Sequence, residues 1–166
     1  MTEGTTGTAL SAGDLIRRAR EEDVPKIVRI EKSCFSDAWS EQSVKGTLSS
    51  LSGYLLIAEA GPDAAGKEED ALPLGYLAAQ IVGDEGELLR IAAAPDRRRR
   101  GTGQRLLAQM IKDHPSVRIW RLDVRTRNAA AIALYEKNGF RIVTENPDVY
   151  RDPKDNGYLM IRGQAE

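Results

Sequence analysis

A basic turn containing two glycines joins a predicted strand to a predicted helix in the second half of the chain. The apolar segment that starts at Ile91 ends at Pro95, four arginines occupy 97–100, and Gly101 and Gly103 follow. Glycines let a backbone approach a ligand closely, and the unpaired N–H groups of a helix's first turn attract an anion. Arginines add positive charge that does not depend on pH. The turn therefore predicts an α/β fold that binds an anionic group, most naturally a pyrophosphate, at a strand-to-helix junction.

Two nucleotide-binding loops can be excluded at this turn. A P-loop requires a lysine directly after its last glycine, and Gln104 follows Gly103. A dinucleotide fingerprint requires a third glycine where Leu106 stands. Four arginines could also form a nucleic-acid patch or a solvated surface. Their position between a strand and a helix, rather than in a tail, favours a built ligand site.

The order of predicted elements is strand, two helices, three strands, helix, strand, helix and two strands. Short connections indicate antiparallel neighbours in the first half, and strand–helix–strand units indicate parallel neighbours in the second. We therefore expect an α/β fold with a mixed central sheet of about seven strands and four helices. Ser40 is expected to cap the second helix, and Gly139 to close the last helix, which is predicted at 128–138. A turn-rich loop is expected at 145–157. The predicted strands span 14–20, 54–58, 74–82, 87–93, 117–124, 140–144 and 158–162.

One domain is expected over residues 14–166, preceded by a flexible tail over 1–13 that offers little to bury. A polar segment at 61–70 is expected to be a mobile hairpin connection. The 24 basic and 25 acidic side chains give a net charge of −1, so no global field favours nucleic acid or a membrane. Cys34 is the only cysteine, which excludes an internal disulfide and a thiolate zinc site, and we expect no bound metal. The N-terminal residues do not resemble a signal peptide, so we expect a cytoplasmic protein.

A second motif runs from 122 to 140: Leu-Asp-Val-Arg, then Asn128, the segment Ala-Ile-Ala-Leu-Tyr-Glu ending at Glu136, and Gly139-Phe140. With the Arg-x-x-Gly-x-Gly pattern at 98–103, it resembles the GNAT acetyltransferases, in particular the ribosomal-protein-alanine N-acetyltransferase branch. The two motifs cover about 90–140, and a fainter similarity at Trp39 extends towards the N-terminus. The resemblance implies the GNAT fold and acetyl-CoA as the acetyl donor.

The same resemblance implies which residues bind the coenzyme. The arginine–glycine loop and the helix start would hold the pyrophosphate, the end of the preceding strand would offer backbone contacts to the pantetheine and acetyl group, and an asparagine would bind near the pantetheine. That asparagine could equally serve as a helix N-cap. The implied coenzyme-binding residues are Ile91, Ala92, Ala93, Arg98, Arg99, Arg100, Gly101, Thr102, Gly103, Gln104 and Asn128.

The resemblance also implies an acid–base pair. Tyr135 would be the general acid for the departing sulfur, although a core-packing role is the alternative. Asp123 falls where the family has a catalytic glutamate, and its shorter side chain requires either a bridging water or another base. Glu87 is the second candidate, because strand alternation predicts that it shares a face with Leu89 and Ile91. Asp123 as a structural acid and Glu87 as a solvated edge residue remain alternatives.

The acceptor implied by the resemblance is the α-amino group of a protein N-terminus, with a ribosomal protein alanine as the leading case. The segments 35–42 and 147–157 would form the walls of the peptide groove, with Trp39 and Tyr150 as substrate-binding aromatics. Either aromatic could instead only anchor its loop. The alternatives are an acetyltransferase for a small amine and a non-catalytic module that binds RNA or the ribosome through 97–100.

Overall fold

The computed structural model describes residues 14–61, 73–95 and 101–163. The expected tail at 1–13, most of the polar connection at 61–70 and all four arginines at 97–100 lie outside the described residues. The predicted order of elements is confirmed. The strands are β1 Leu15–Arg18, β2 Gly53–Glu59, β3 Gly75–Val82, β4 Glu85–Ala93, β5 Ile119–Arg125, β6 Arg141–Arg151 and β7 Lys154–Gly163; the α-helices are α1 Val24–Cys34, α2 Glu41–Ser49, α3 Thr102–Asp113 and α4 Ala129–Lys137.

The seven strands form one mixed sheet in the order β1-β2-β3-β4-β5-β7-β6. Among the strands that the structure describes, only β4 and β5 are parallel neighbours, and every other adjacent pair is antiparallel. The prediction of parallel neighbours throughout the second half is therefore wrong for the last unit. There β7 inserts between β5 and β6, so the strands on either side of α4 are not adjacent.

Side chains of successive strand residues point to opposite sides of the sheet, so each face has apolar residues to bury. Helices cover both faces. On β2, Leu55 and Ile57 pack with α1 and α2, whereas Leu56 packs with α3 and α4. We call these the α1/α2 face and the α3/α4 face. The helix ends follow local chemistry: the Ser40 side chain accepts a hydrogen bond from the Ser43 N–H at 3.1 Å, as predicted for a cap.

A β-bulge in β4 changes the side on which its side chains lie. Ala79 pairs with Leu88 and Ala78 pairs with Arg90, so Leu89 is an extra residue on β4. An extra residue interrupts the alternation of a strand. Leu89 consequently packs on the α1/α2 face and Ile91 on the α3/α4 face. The prediction that Glu87 shares one face with both of these residues is wrong for this reason.

The C-terminal hairpin is longer than predicted. The expected loop at 145–157 is mostly strand, since β6 and β7 pair from Arg141–Ile161 to Arg151–Lys154. The turn-forming residues near Pro147 are accommodated by a register shift between Asn146 and Tyr150 rather than by an end to the pairing. The pairing of β6 with β7 therefore continues almost to the turn at 152–153.

Candidate active site

A gap in the sheet lies between the two parallel strands. The ladder of β4 and β5 runs from Glu85–Ile119 to Leu88–Leu122 and ends there, although β4 continues to Ala93. Beyond Leu88, none of the described strands pairs with the backbone groups on this edge of β4. The carboxyl ends of parallel strands are the usual ligand crevice of α/β sheets. This gap is therefore the candidate site.

The helix that follows β4 begins beside the gap. Gly101 caps α3 with φ of 77°, a left-handed conformation that glycine adopts without steric cost. Thr102 is 2% exposed, and its hydroxyl hydrogen-bonds to none of the described residues. The first N–H groups of α3 lack intrahelical acceptors because of their position. A buried, unpaired hydroxyl among these donors fits an anionic ligand that would complete its bonding.

The side chain of Gln104 has a structural partner. It forms two reciprocal amide hydrogen bonds with Asn138, at 2.9 and 2.7 Å, which join the first turn of α3 to the end of α4. Coenzyme binding through Gln104 remains a prediction, and the backbone N–H is the group available for it. Asn138 is further held by its hydrogen bond to the Leu134 carbonyl at 2.8 Å.

The strand end predicted to contact the pantetheine lines one side of the gap. Ile91 and Ala92 pair with Leu77 and Tyr76 of β3. Their strand can therefore present its other edge to a ligand, as an exposed sheet edge does to an extended peptide. The Cys34 thiol donates to the Ala93 carbonyl at 3.4 Å, which ties the end of α1 to this strand.

Tyr135 lies on the α3/α4 face. It is 6% exposed, and its ring packs edge-on to Phe140 with centroids 5.9 Å apart. Its hydroxyl hydrogen-bonds to no residue in the described part of the chain. Burial, with a smaller contribution from Tyr150, raises the pKa of the Tyr135 phenol well above its ordinary value. A phenol that stays protonated and unpaired at neutral pH suits a proton donor.

Asn128 caps the helix that carries Tyr135. Its side-chain oxygen accepts a hydrogen bond from the Ala131 N–H at 3.1 Å. The capping role is thus observed, and a coenzyme contact stays a prediction. Asn128 is exposed, so its amide N–H₂ group can still meet a ligand.

Asp123 lies on the opposite face of the sheet from Tyr135. Its neighbours Leu122 and Val124 are buried in the α3/α4 core, so alternation directs Asp123 to the α1/α2 face. Desolvation raises the pKa of this carboxyl. A raised pKa makes a carboxylate a stronger base. Asp123 comes one residue after the last β4–β5 pair, whereas Glu87 faces Arg121 within the paired segment; both side chains are exposed to solvent.

Tyr150 of β6 links the groups around the gap. The Arg125 guanidinium lies 4.3 Å from the centre of its ring. Burial raises the pKa of the Tyr150 phenol, and the carboxylates of Asp123 and Asp37 raise it further, against the lowering effect of Arg125 and Arg90. Tyr150 is thus within electrostatic range of both predicted acid–base residues and of the loop between α1 and α2.

The two predicted wall segments meet. The Ser36 hydroxyl donates to the Asp152 carbonyl, which connects the α1–α2 loop to the tip of the β6–β7 hairpin. Arg125 donates to the carbonyls of Asp152 and Pro153 at 3.0 and 2.6 Å, fixing the same tip from β5. Trp39 is half-buried in the first of these segments. The two segments therefore meet on the α1/α2 face, next to the part of β4 that lies beyond the β4–β5 ladder.

Sequence reasoning missed three residues that shape this approach: Glu31, Arg90 and Arg125. For Glu31 the sequence offered one signal, because it lies four residues after Ile27 on the apolar side of α1. In the structure Glu31 is completely buried. Arg90 and Arg125 occupy ordinary strand positions, and their partners are distant in sequence. No pattern in the chain could have identified them.

Among the described residues, no group of three or more His, Cys, Asp and Glu side chains is arranged to hold a metal ion. None of the described helices is both long and apolar enough to cross a membrane.

Comparison with known proteins gives a consistent result. The acetyltransferase (GNAT) family model matches residues 24–140. The chain is 34% identical over 131 residues to the [ribosomal protein bS18]-alanine N-acetyltransferase of Salmonella typhimurium, covering 77% of this chain and 81% of that one. It is 31% identical over 143 residues to the Escherichia coli K12 protein of the same name, covering 83% and 89%. The crystal structure of the ribosomal-protein-S18-alanine N-acetyltransferase from Escherichia coli superimposes with a TM-score of 0.77 at 27% identity, covering 92% and 96%.

Proposed function

The chain belongs to the GNAT acetyltransferase family, and on that premise we propose that it transfers an acetyl group from acetyl-CoA to the α-amino group of a protein N-terminus. The observation that carries the proposal is the gap between β4 and β5, which begins where their ladder ends at Leu88 and Leu122. Tyr135 lies on one face and Asp123 on the other. Donor and acceptor can therefore approach from opposite sides and meet without crossing.

The donor side fits a coenzyme with a pyrophosphate and an amide-containing arm. The first turn of α3, with Gly101 and the unpaired Thr102 hydroxyl, would hold the pyrophosphate. The open edge of β4 at 91–93 would hydrogen-bond the amides of the arm, in the place of the missing strand. Acetyl-CoA supplies an activated thioester when bound.

The reaction forms a carbon–nitrogen bond and breaks a carbon–sulfur bond. Asp123, directly or through one water, would accept the proton that the amine loses, with Glu87 as the second candidate. Tyr135 would donate a proton to the departing sulfur. The unpaired Tyr135 hydroxyl and the raised pKa of Asp123 support these roles.

An N-terminal amine is the acceptor that this chemistry favours. An α-amino group has a pKa near 8 against about 10.4 for lysine, so its deprotonation costs about 3 kcal/mol less. A short carboxylate acting through water is better matched to that easier task. The two relatives are named for a ribosomal protein alanine. We extend that acceptor class to this chain, which implies a cytoplasmic protein that acts on a ribosomal protein.

The test is to incubate the protein with acetyl-CoA and peptides that begin with Ala, Ser or Met, alongside small amines. We expect α-amino acetylation of peptides and a thermal shift with coenzyme A. No acetylation together with no thermal shift would refute the proposal. Acetylation of small amines only would replace it with the small-amine alternative, and salt-sensitive RNA binding without acetylation would favour the binding module.

A further inference from the structure

The loop between α1 and α2, residues 35–40, is held by a pair of opposite charges, Glu31, which is completely buried, and Arg90, whose side chain is 14% exposed. We call this segment the wall loop, because it covers the acceptor side of the gap. Its two anchors are Glu31, in the last turns of α1, and Arg90, on β4 directly before the strand end that faces the coenzyme. The proposed function uses neither of them.

Glu31 has no exposed surface, and its carboxylate has three partners. One oxygen accepts the backbone N–H of Trp39 at 2.9 Å. The other accepts the hydroxyl of Tyr76 and lies 3.4 Å from the Nε of Arg90. The carboxylate thus joins α1, β3 and β4 to the far end of the wall loop.

Arg90 reaches the same loop from β4. Its guanidinium lies 4.4 Å from the centre of the Phe35 ring and 5.3 Å from that of Trp39. One terminal nitrogen donates to the Asp37 carbonyl at 2.8 Å and lies 3.6 Å from the Asp37 carboxylate. Arg90 therefore contacts the beginning, middle and end of the wall loop.

The β-bulge makes this arrangement possible. Strict alternation from Leu88 would direct Arg90 to the α3/α4 face, and the extra residue at Leu89 turns Arg90 to the α1/α2 face instead. The same bulge turns Ile91 back to the coenzyme side. Arg90 therefore lies on the acceptor side of the sheet, and the next residue, Ile91, lies on the coenzyme side.

Holding a loop with buried charges is energetically expensive, because both groups lose water. Apolar side chains could pack the loop at lower cost, but they would not fix its direction. Hydrogen bonds to the Trp39 N–H and the Asp37 carbonyl, with two ring contacts, define one position of the wall loop relative to β4.

We propose that Arg90 and Glu31 are positioning residues for the acceptor, fixing the wall loop against β4 so that the acceptor amine meets the gap. The inference rests on the proposed function. It assigns these residues to acceptor binding and not to acetyl-CoA binding or to proton transfer.

The test compares Arg90→Met and Arg90→Lys with the matched control Arg121→Met. Arg121 pairs with Glu85 at 3.0 Å on the neighbouring strand and is half-exposed. For Arg90→Met we expect the peptide KM to rise about tenfold, the equivalent of about 1.4 kcal/mol of binding, with the acetyl-CoA KM within about twofold of wild type. Arg90→Lys keeps the charge but not the planar fork, so its defect should be smaller. Arg121→Met should match wild type.

Acrylamide quenching of tryptophan fluorescence gives a second readout, which requires no acceptor. Trp120 is 1% exposed, so quenching reports mainly on Trp39. Quenching should increase in Arg90→Met and remain unchanged in Arg121→Met. Should Arg90→Met fail to fold, Arg90→Lys carries the same comparisons with smaller changes.

The outcomes separate this inference from the proposed function. A wild-type protein that acetylates no peptide overturns the proposed function, and with it the acceptor role of this pair. An active wild type with an unchanged peptide KM in Arg90→Met overturns this inference alone. Equal rises in the peptide and acetyl-CoA KM values, or in all three variants, also overturn it, because they indicate a general structural role.

Discussion

Replacing Tyr135 with phenylalanine should lower the catalytic rate without lowering the stability of the fold, and the structure sets the expected size of both effects. The ring is buried against Phe140, and phenylalanine keeps that packing. The hydroxyl has no hydrogen-bond partner among the described residues, so its removal breaks no hydrogen bond to any of them. Burial raises the pKa of the phenol, so Tyr135 holds its proton throughout the neutral range.

Two magnitudes follow for Tyr135→Phe. A positioned general acid contributes about 10²–10⁴-fold to a rate, so kcat should fall by at least about 100-fold. The free energy of unfolding should change by less than about 0.5 kcal/mol, because no hydrogen bond is lost. The KM for acetyl-CoA should stay within about threefold of wild type, since the proton donor acts at the sulfur in the transition state.

Tyr54→Phe is the matched control. Tyr54 is equally buried, but its hydroxyl donates to the Asp113 carboxylate at 2.5 Å, far from the gap. A hydrogen bond to a charged group contributes about 1.5–3 kcal/mol, so this variant should melt about 3–10 °C lower. Its kcat should be unchanged.

Steady-state kinetics with an Ala-starting peptide and thermal melts of both variants complete the comparison. Tyr135→Phe with kcat within about twofold of wild type would remove Tyr135 from the acid role. A drop in kcat accompanied by a matching loss of stability would also refute the reasoning, because it would place the hydroxyl in the fold.

Three further predictions concern the base, a buried acid and a close contact. Asp123→Asn should lower kcat/KM by about 100-fold and Glu87→Gln by less than about threefold, and the reverse ranking would make Glu87 the base. Because desolvation raises the pKa of Asp123, activity should decline on acidification at a higher pH than an ordinary aspartate would give. Asp23 is buried, and its carboxylate accepts hydrogen bonds from the Arg17 guanidinium at 2.8 Å and from the Arg20 N–H. Burial alone would raise the pKa of Asp23, but these hydrogen bonds lower it, so Asp23→Asn should cost about 3 kcal/mol at pH 7 and progressively less as the pH falls through that lowered pKa. Urea unfolding at pH 7 and 3 checks this, and a constant difference contradicts it. A Cβ at Gly86 would lie 2.3 Å from the Trp120 ring, so Gly86→Ala should destabilise the fold by about 1–3 kcal/mol, and an unchanged melting temperature contradicts the tight pairing.

Much of the fold could be predicted because it depends on local patterns. Apolar spacing located the helices and strands, and the side chains of Ser40 and Asn128 cap helices where the sequence indicated. The family resemblance, the seven strands and the four helices are all confirmed. Short-range chemistry was sufficient for these features.

The errors came from strand irregularities, which composition does not reveal. Nothing about Leu89 distinguishes a bulged residue from an ordinary strand residue, and its effect was to misplace the side chains on either side of it. Near Pro147, turn-forming residues suggested a loop where the hairpin instead shifts register. In both places the pairing with a neighbouring strand decides the geometry.

The candidate site was predicted where its residues are close in sequence and missed where they are not. The motif from Asp123 to Tyr135 lies within one short segment, so it can be recognised from residue spacing alone. Glu31 and Arg90 are separated by most of the first half of the chain and meet only because α1 packs on β4. Contacts of that kind follow from the folded sheet and not from local spacing.

Two peptides of identical length, each incubated with the protein and acetyl-CoA, test most directly whether the acceptor is an α-amino group. One begins with a free alanine and contains no lysine; the other has a blocked N-terminus and one free lysine. Mass spectrometry should find one acetyl group on the α-amino nitrogen of the first peptide and none on the second. Acetylation of the lysine peptide at a comparable rate, or of neither peptide, would contradict the account.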